Sequence, residues 1–183
     1  MKKKVITNGL VHVYSGDGKG KTTASLGQAL RALGYGLTVL MVQFLKDKDD
    51  ISGELHMVKK LAPNLKIIRL KQKHPLFLSP QEVDYEALKI SVQELFTIAK
   101  DAILTQTYDL VILDEINNVL KEGLLRAEDV LDLIRIKPKS VELILTGRDA
   151  MPEIIRAADL VTEMRKIKHP LDRGISAREG IEY

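Results

Sequence analysis

A chain of 183 residues that is 45% hydrophobic and 29% charged can bury a sizeable core, and we expect residues 1–183 to form a single domain. The net charge of +3 agrees with an anionic ligand but does not by itself indicate nucleic acid. The absence of cysteine excludes disulfides, thiolate catalysis and cysteine-ligated metal sites, and no apolar run reaches membrane-spanning length. We therefore expect a cytoplasmic enzyme that binds neither nucleic acid nor a membrane.

The first predicted strand, residues 10–14, leads into a glycine-rich loop that reads Ser-Gly-Asp-Gly-Lys-Gly-Lys-Thr-Thr over residues 15–23. Glycines let backbone N–H groups close around a polyanion, and the start of the following helix adds partial positive charge. That helix is predicted because apolar residues recur at helical spacing from Lys21 until Gly34. The residues that we expect to bind phosphates are Gly16, Asp17, Gly18, Lys19, Gly20, Lys21, Thr22 and Thr23.

Two side chains of this phosphate loop have distinct expected roles. Lys21 can reach the phosphates and stabilise their charge, and the Thr22 hydroxyl can ligate Mg²⁺ or Mn²⁺. Counted from Gly16, the loop is one residue shorter than the common pattern, so the usual register of the phosphates cannot be assumed. The alternative interpretation is a flexible turn that happens to be rich in glycine and lysine.

The rest of the chain alternates predicted strands and helices. Further strands are predicted at residues 37–44, 65–70, 108–113, 141–145 and 160–164. The longest helix is predicted to begin at Ser79, where Pro80 and Glu82 complete a helix-start signal, after an aperiodic loop over residues 71–78. The alternation predicts an α/β fold, doubly wound around a mainly parallel sheet of the P-loop nucleotide-binding, RecA-like type.

Asp114 and Glu115 directly follow the predicted strand 108–113, whose continuous apolar run is typical of a central parallel strand. A carboxylate at the carboxyl end of such a strand lies beside the phosphate loop in this fold class and can hold Mg²⁺ directly or through water. The alternative is a carboxylate that caps the next segment. We expect Thr22, Asp114 and Glu115 to form the metal site, although Glu115 could instead position a nucleophilic water.

Arg148 ends the Thr-Gly-Arg stretch that follows the next predicted strand, at the same edge of the sheet. Its permanently charged guanidinium fits phosphate oxygens and could stabilise a leaving group, whereas the alternative is a surface arginine in a turn. Lys21 and Arg148 are therefore the candidate catalytic residues.

These motifs together resemble the P-loop type of ATP:corrinoid adenosyltransferase, also called cob(I)alamin adenosyltransferase, whose members adenosylate vitamin B12 precursors. The resemblance covers residues 9–183, nearly the whole chain. The matching stretches are residues 16–23, 42–46, 112–117, 145–148, 161–165, 168–170 and 180–183. The family's phosphate loop has the same short spacing, so the departure from the common pattern supports the resemblance.

The resemblance implies transfer of the 5′-deoxyadenosyl group of ATP to the Co(I) centre of cobalamin or a cobinamide-type corrinoid, with release of triphosphate. Enzymes of this family are thought to bind ATP reversed along the loop. The resemblance further implies a homodimer and an external electron donor such as a reduced flavoprotein. It marks Arg31 as a nucleotide contact and Phe77 as a corrinoid contact, although Phe77 could equally be a core residue.

Two other functions stay open at the level of the sequence. A P-loop ATPase or nucleotide kinase would transfer the γ-phosphate to water or to an acceptor and leave ADP. A non-catalytic, ATP-dependent corrinoid-binding module would bind both molecules without turnover.

Overall fold

The computed structural model describes residues 6–47, 52–70 and 84–183. In these residues six strands form one sheet with the order β3-β2-β4-β5-β1-β6, and every adjacent pair is parallel. The strands are β1 (Val11–Ser15), β2 (Val39–Asp47), β3 (Leu65–Leu70), β4 (Leu110–Asp114), β5 (Glu142–Thr146) and β6 (Leu160–Glu163). This arrangement confirms the predicted α/β fold and the approximate position of every predicted strand.

The helices are α1 (Lys21–Gly34), α2 (Gly53–Leu61), α3 (Tyr85–Leu104), α4 (Ile116–Lys121), α5 (Ala127–Ile136) and α6 (Pro152–Ala157), followed by a 3₁₀ turn (Pro170–Arg173). No helix in the described ranges is both long and apolar enough to cross a membrane.

The start of α3 differs from the prediction. Asp84 has an extended backbone, and its carboxylate caps the helix by accepting the Ala87 N–H at 3.0 Å. The predicted start of this helix at Ser79 is therefore wrong. Ser79 itself, like the rest of the predicted loop and helix start over residues 71–83, lies outside the described residues.

Helices cover both faces of the sheet because successive side chains of each strand point to opposite sides. In β2, Leu40 and Phe44 pack in a core formed with α3, α4, α5 and α6. Val39 and Met41 pack on the opposite face, in a smaller core formed with α1 and α2. The sheet is thus doubly wound, as the apolar runs of the sequence predict.

The strand order places the polar ends of three strands side by side. Strand β5 pairs with β1 on one side and with β4 on the other. The phosphate loop after β1 and the carboxylate of Asp114 at the end of β4 are therefore separated by the end of β5, which is Thr146. Because parallel strands bring their carboxyl ends to one edge of a sheet, all three features meet there.

Gly9, which precedes β1, provides a test of the packing where the strands of the sheet begin, opposite the phosphate loop. A Cβ atom at this position would lie 2.2 Å from the carbonyl oxygen of Val141. We expect Gly9→Ala to lower the free energy of unfolding by about 1–3 kcal/mol, because the backbone must move to accept the methyl group. Denaturant unfolding followed by circular dichroism measures the change.

The matched control for this substitution is Gly27→Ala, inside α1, where an added Cβ meets no atom within 4 Å. Removing a glycine from a helix interior should raise stability by about 0.5–1 kcal/mol. A Gly9→Ala protein as stable as the parent would contradict the close approach of Gly9 to Val141.

Candidate active site

The phosphate loop joins β1 to α1 and contains glycines in the left-handed region. Gly16 has a φ of 105° and Gly20, immediately before α1, has a φ of 118°. A Cβ at Gly16 would lie 2.3 Å from the Met164 carbonyl oxygen, and the Gly18 N–H donates to the same oxygen at 2.7 Å. The glycines therefore allow the chain that follows β6 to pack directly against the loop.

Side chains of the loop also contact the last part of the chain. The Lys166 N–H donates to Asp17 Oδ1 at 2.9 Å, and this hydrogen bond is the main cause that lowers the pKa of Asp17. Lys19 Nζ donates to the Ile181 carbonyl oxygen at 3.0 Å and pairs with Glu182 Oε1 at 3.1 Å. Residues distant in sequence thus hold the loop from one side.

Lys21, the first residue of α1, folds back over the loop. Its Nζ donates to the carbonyl oxygens of Gly16 at 2.7 Å and Gly18 at 2.8 Å. Burial lowers the pKa of Lys21, while the neighbouring Glu115 acts in the opposite direction. An ammonium group that donates to neutral carbonyls beside a cavity can exchange them for phosphate oxygens, which are stronger acceptors.

Asp114 is completely buried, and its carboxylate accepts hydrogen bonds from three directions. Oδ1 accepts from the hydroxyls of Thr22 at 2.9 Å and Thr146 at 2.7 Å. Oδ2 accepts from Gln43 Nε2 at 3.1 Å. These donors come from α1, β5 and β2, so three separate elements hold one carboxylate.

The oxygens of Thr22 and Asp114 fit a magnesium ion. Mg²⁺ prefers hard oxygen ligands and is commonly bound through one or two protein groups, with water and phosphate completing the octahedron. A hydroxyl and a carboxylate oxygen 2.9 Å apart provide such a pair. Across the described part of the chain, no group of three or more His, Cys, Asp or Glu side chains could hold a metal ion by itself.

Glu115 follows Asp114 in a left-handed conformation with a φ of 66°, and its N–H donates to Thr146 Oγ1 at 2.9 Å. Its side chain lines the same cavity as the phosphate loop. Burial and then the charge of Asp114 raise the pKa of Glu115, and Lys21 opposes this rise. A cation bound beside Thr22 and Asp114 would favour the ionised form of Glu115.

Arg148 lies across the same cavity, at the end of β5. The peptide before it is constrained because Gly147 has a φ of 133° and lies against α4. The Arg148 N–H donates to Asn118 Oδ1 at 2.7 Å, while the side chain is exposed. The backbone is therefore fixed and the guanidinium lies at the rim of the cavity.

A cavity of about 620 Å³ connects these residues. Its charged lining residues are Asp17, Lys19, Lys21, Lys46, Glu54, Glu115, Arg148 and Glu182. Its apolar end lies between α1 and α2 and is lined by Leu26, Ala29, Leu30, Leu33, Met57, Leu61 and Leu65. A ligand with a polyanionic part and a less polar part would match both ends.

The structure brings together most of the predicted site residues. Those that line the cavity are Asp17, Gly18, Lys19, Gly20, Lys21, Thr22, Thr23, Glu115 and Arg148. Gly16 supports the loop, and Asp114 lies buried in contact with Thr22.

Two predicted residues are not part of this group. Arg31 is about 15 Å along α1 from Lys21, where it lines a separate cavity of about 340 Å³ and its Nη1 donates to Gln28 Oε1 at 3.3 Å. Phe77 lies outside the described residues. Their predicted contacts with nucleotide and corrinoid stay predictions.

Gln43 and Thr146 contact Asp114 but are not assigned a role by the sequence patterns. Gln43 lies directly opposite Asp114 in the register of β2 and β4, and Thr146 ends β5. Each is a polar residue within or at the end of an otherwise apolar, buried run. That local break in hydrophobicity is the signal that could have identified them.

The chain matches the family model of the ATP:corrinoid adenosyltransferase BtuR/CobO/CobP over residues 7–183. It is 33% identical to a corrinoid adenosyltransferase of Pseudomonas aeruginosa, over 96% of this chain and 84% of that protein. It is 31% identical to the corrinoid adenosyltransferase of Escherichia coli K12, over 96% of this chain and 86% of that protein. An uncharacterized protein of Nostoc sp. is 36% identical over 88% of this chain, but the match spans only 45% of the Nostoc protein.

Solved structures with similar folds are more distant in sequence. The flagellar accessory protein FlaH of Methanocaldococcus jannaschii superposes with a TM-score of 0.55 at 16% identity, over 86% of this chain and 72% of that one. A KaiC-like protein of Pyrococcus horikoshii gives a TM-score of 0.53 at 14% identity, over 88% and 75%. These likenesses show the fold alone, whereas the family model and the curated relatives show that the chain belongs to the ATP:corrinoid adenosyltransferase family.

Proposed function

We propose that this chain transfers the 5′-deoxyadenosyl group of ATP to the Co(I) centre of a corrinoid, either cobalamin or a cobinamide-type precursor. The observation that carries the proposal is the family match over residues 7–183, which includes every motif that lines the cavity. In the reaction, the electron pair of Co(I) forms a bond to the ribose C5′ carbon. The C5′–O bond breaks, and its electron pair leaves with inorganic triphosphate.

The charged end of the cavity suits this leaving group. Triphosphate is a polyanion, so the chain must stabilise negative charge as it develops, and the reaction requires no protein base. Lys21 would exchange the carbonyls of Gly16 and Gly18 for phosphate oxygens, and Arg148 would reach the same charge from the rim. These contacts support catalytic roles for Lys21 and Arg148.

A divalent cation, Mg²⁺ or Mn²⁺, would be held by Thr22 and Asp114, with Glu115 beside them. When bound, the ion neutralises part of the phosphate charge. The chain's own contribution is a carboxylate that is oriented in advance by Thr22, Thr146 and Gln43.

The reversed direction of ATP along the loop rests on the family resemblance. In the short loop, the Gly18 N–H already donates to the Met164 carbonyl oxygen at 2.7 Å. It is therefore engaged in a contact that a phosphate would have to displace, which alters the set of N–H groups that the loop offers. The proposed direction presents C5′ to the corrinoid.

Several parts of the proposal rest on the family resemblance. These are a homodimer and an external electron donor such as a reduced flavoprotein, whereas the proposed cytoplasmic location rests on the composition of the chain. Nucleotide contact by Arg31 and corrinoid contact by Phe77 belong to the same group.

The products of the reaction test the proposed function directly. We expect anaerobic incubation with ATP, Mg²⁺ and chemically reduced cobalamin to give a light-sensitive cobalt–carbon bond, detected by absorption spectroscopy, and inorganic triphosphate in equal amount. Formation of ADP would instead identify an ATPase or kinase. Binding of both substrates without any product would identify a non-catalytic module, and either result would refute the proposal.

Lys21 provides a second test. Removal of a preorganised group that stabilises developing charge typically costs about 10²–10³-fold in rate. We expect Lys21→Ala to reduce kcat/KM for adenosylation of reduced cobalamin by at least that order, measured from the initial rate of cobalt–carbon bond formation.

The matched control for Lys21 is Lys137→Ala. Lys137 is also partly buried and also donates to backbone carbonyls, those of Gly9 at 2.8 Å and Val141 at 2.7 Å, but at the opposite edge of the sheet. We expect the Lys137→Ala protein to be less stable than the parent but equally active at temperatures where it is folded. Retention of most activity by Lys21→Ala would exclude Lys21 from the proposed role.

A further inference from the structure

A buried arginine contacts Gln43, which in turn contacts the proposed metal ligand Asp114, and it does not line the cavity. Arg69 is on β3, and its side chain is only 3% exposed. Its Nε donates to Gln43 Oε1 at 2.6 Å, and its Nη2 donates to the Ser52 hydroxyl and to Glu54 Oε1, the latter at 3.2 Å. A buried charge is costly unless it is paired and hydrogen-bonded, so these contacts commit the guanidinium to one position.

The guanidinium also determines which way the amide of Gln43 points. A guanidinium has only donors, so the group that faces Arg69 Nε must be the amide oxygen. The amide nitrogen of Gln43 is then directed away from Arg69. It donates to Asp114 Oδ2 at 3.1 Å and to Glu54 Oε1 at 3.2 Å. Both carboxylates select the same orientation of the amide, and Arg69 fixes the position of its oxygen from the opposite side.

Glu54 links this arrangement to the wall of the cavity. It lies in the first turn of α2, and its Oε1 accepts hydrogen bonds from Gln43, from Lys46 at 3.1 Å and from Arg69. Burial acts to raise the pKa of Glu54, but the Lys46 ammonium and the hydrogen bonds lower it to about 2. The carboxylate therefore stays ionised at neutral pH and keeps the guanidinium and the amide in place.

We propose that Gln43 and Arg69 are positioning residues that hold the Asp114 carboxylate in its metal-binding orientation and thereby set the affinity of the site for a divalent cation. This inference depends on one part of the proposed function, which is the binding of a metal ion by Asp114. Loss of the Gln43 amide would leave Oδ2 without that donor and allow the carboxylate to rotate away from Thr22. Because Gln43 and Arg69 do not line the cavity, the effect falls on the metal rather than on the nucleotide.

The test is a titration of Mn²⁺ into the protein with ATP and without corrinoid, so that no transfer occurs. Electron paramagnetic resonance of free Mn²⁺, corrected for the Mn²⁺ that ATP binds in a titration without protein, gives the Kd of the metal. ATP affinity is measured separately in the presence of EDTA. Gln43→Met keeps the length of the side chain and removes the amide. We expect it to raise the Kd for Mn²⁺ by about tenfold or more, as loss of an outer partner of a metal ligand typically does, and to leave ATP affinity in EDTA unchanged.

The matched control is Gln93→Met, at an exposed position of α3, which should change neither affinity. Thermal unfolding checks that each variant is folded. Unchanged Mn²⁺ affinity in a folded Gln43→Met protein would overturn the proposal, as would an equal loss of Mn²⁺ and ATP affinity.

Asp114→Asn separates failure of this proposal from failure of the metal site itself. If Asp114→Asn leaves Mn²⁺ affinity unchanged, both the proposed metal site and the positioning role are wrong. If Asp114→Asn weakens Mn²⁺ binding and Gln43→Met does not, only the positioning role is wrong. When Asp114→Asn is already present, Gln43→Met should not weaken Mn²⁺ binding further, because both substitutions act through the same carboxylate. An additive loss of Mn²⁺ affinity would contradict the positioning role.

Arg69→Lys keeps a buried positive charge. It tests the positioning role if Gln43→Met does not fold. An ammonium group cannot reproduce the fixed fork that reaches Gln43, Ser52 and Glu54 together. We expect the Kd for Mn²⁺ to rise in the same direction as in Gln43→Met. A folded Arg69→Lys protein with unchanged Mn²⁺ affinity would overturn the proposal.

Discussion

The buried carboxylate of Asp114 is the group on which the rest of the site depends. A carboxylate removed from water must regain its hydrogen bonds from the protein, or the folded state loses stability. Here the donors are Thr22, Thr146 and Gln43, which belong to α1, β5 and β2. Satisfying one side chain therefore fixes the first turn of α1 against the ends of three adjacent strands.

The phosphate end of the cavity is organised differently, through backbone contacts. The loop is held by the chain after β6, with the Met164 carbonyl oxygen 2.7 Å from the Gly18 nitrogen and the Lys166 N–H on Asp17. Such support keeps donors and cations in place before the ligand arrives, so little reorganisation is needed when charge develops during the reaction. The charged end of the cavity thus has two kinds of support, a buried carboxylate network around Asp114 and a phosphate loop held by backbone contacts.

Much of the fold and part of the site could be predicted from local patterns. The phosphate loop and Asp114 are identifiable because each directly follows an apolar strand, and the fold class brings such positions to one edge. The break in hydrophobicity marks Gln43 as a candidate, but its contact with Asp114 could not be predicted, since that contact depends on β2 lying beside β4 and strand order is a non-local property. The start of α3 differs from the prediction because the sequence Ser79-Pro80-Gln81-Glu82 forms a helix-start signal, whereas in the structure Asp84 caps the helix. Likewise, the helical spacing of Arg31 does not reveal that it lies on a different cavity from Lys21.

The contact between the phosphate loop and the segment after β6 has a consequence for biosynthesis. Ribosomes make the loop early, whereas Met164, Lys166 and Glu182, which brace it, emerge far later. A nascent chain therefore cannot complete its nucleotide pocket until those residues have left the exit tunnel. Until then, the loop lacks the contacts that Met164, Lys166 and Glu182 make to it.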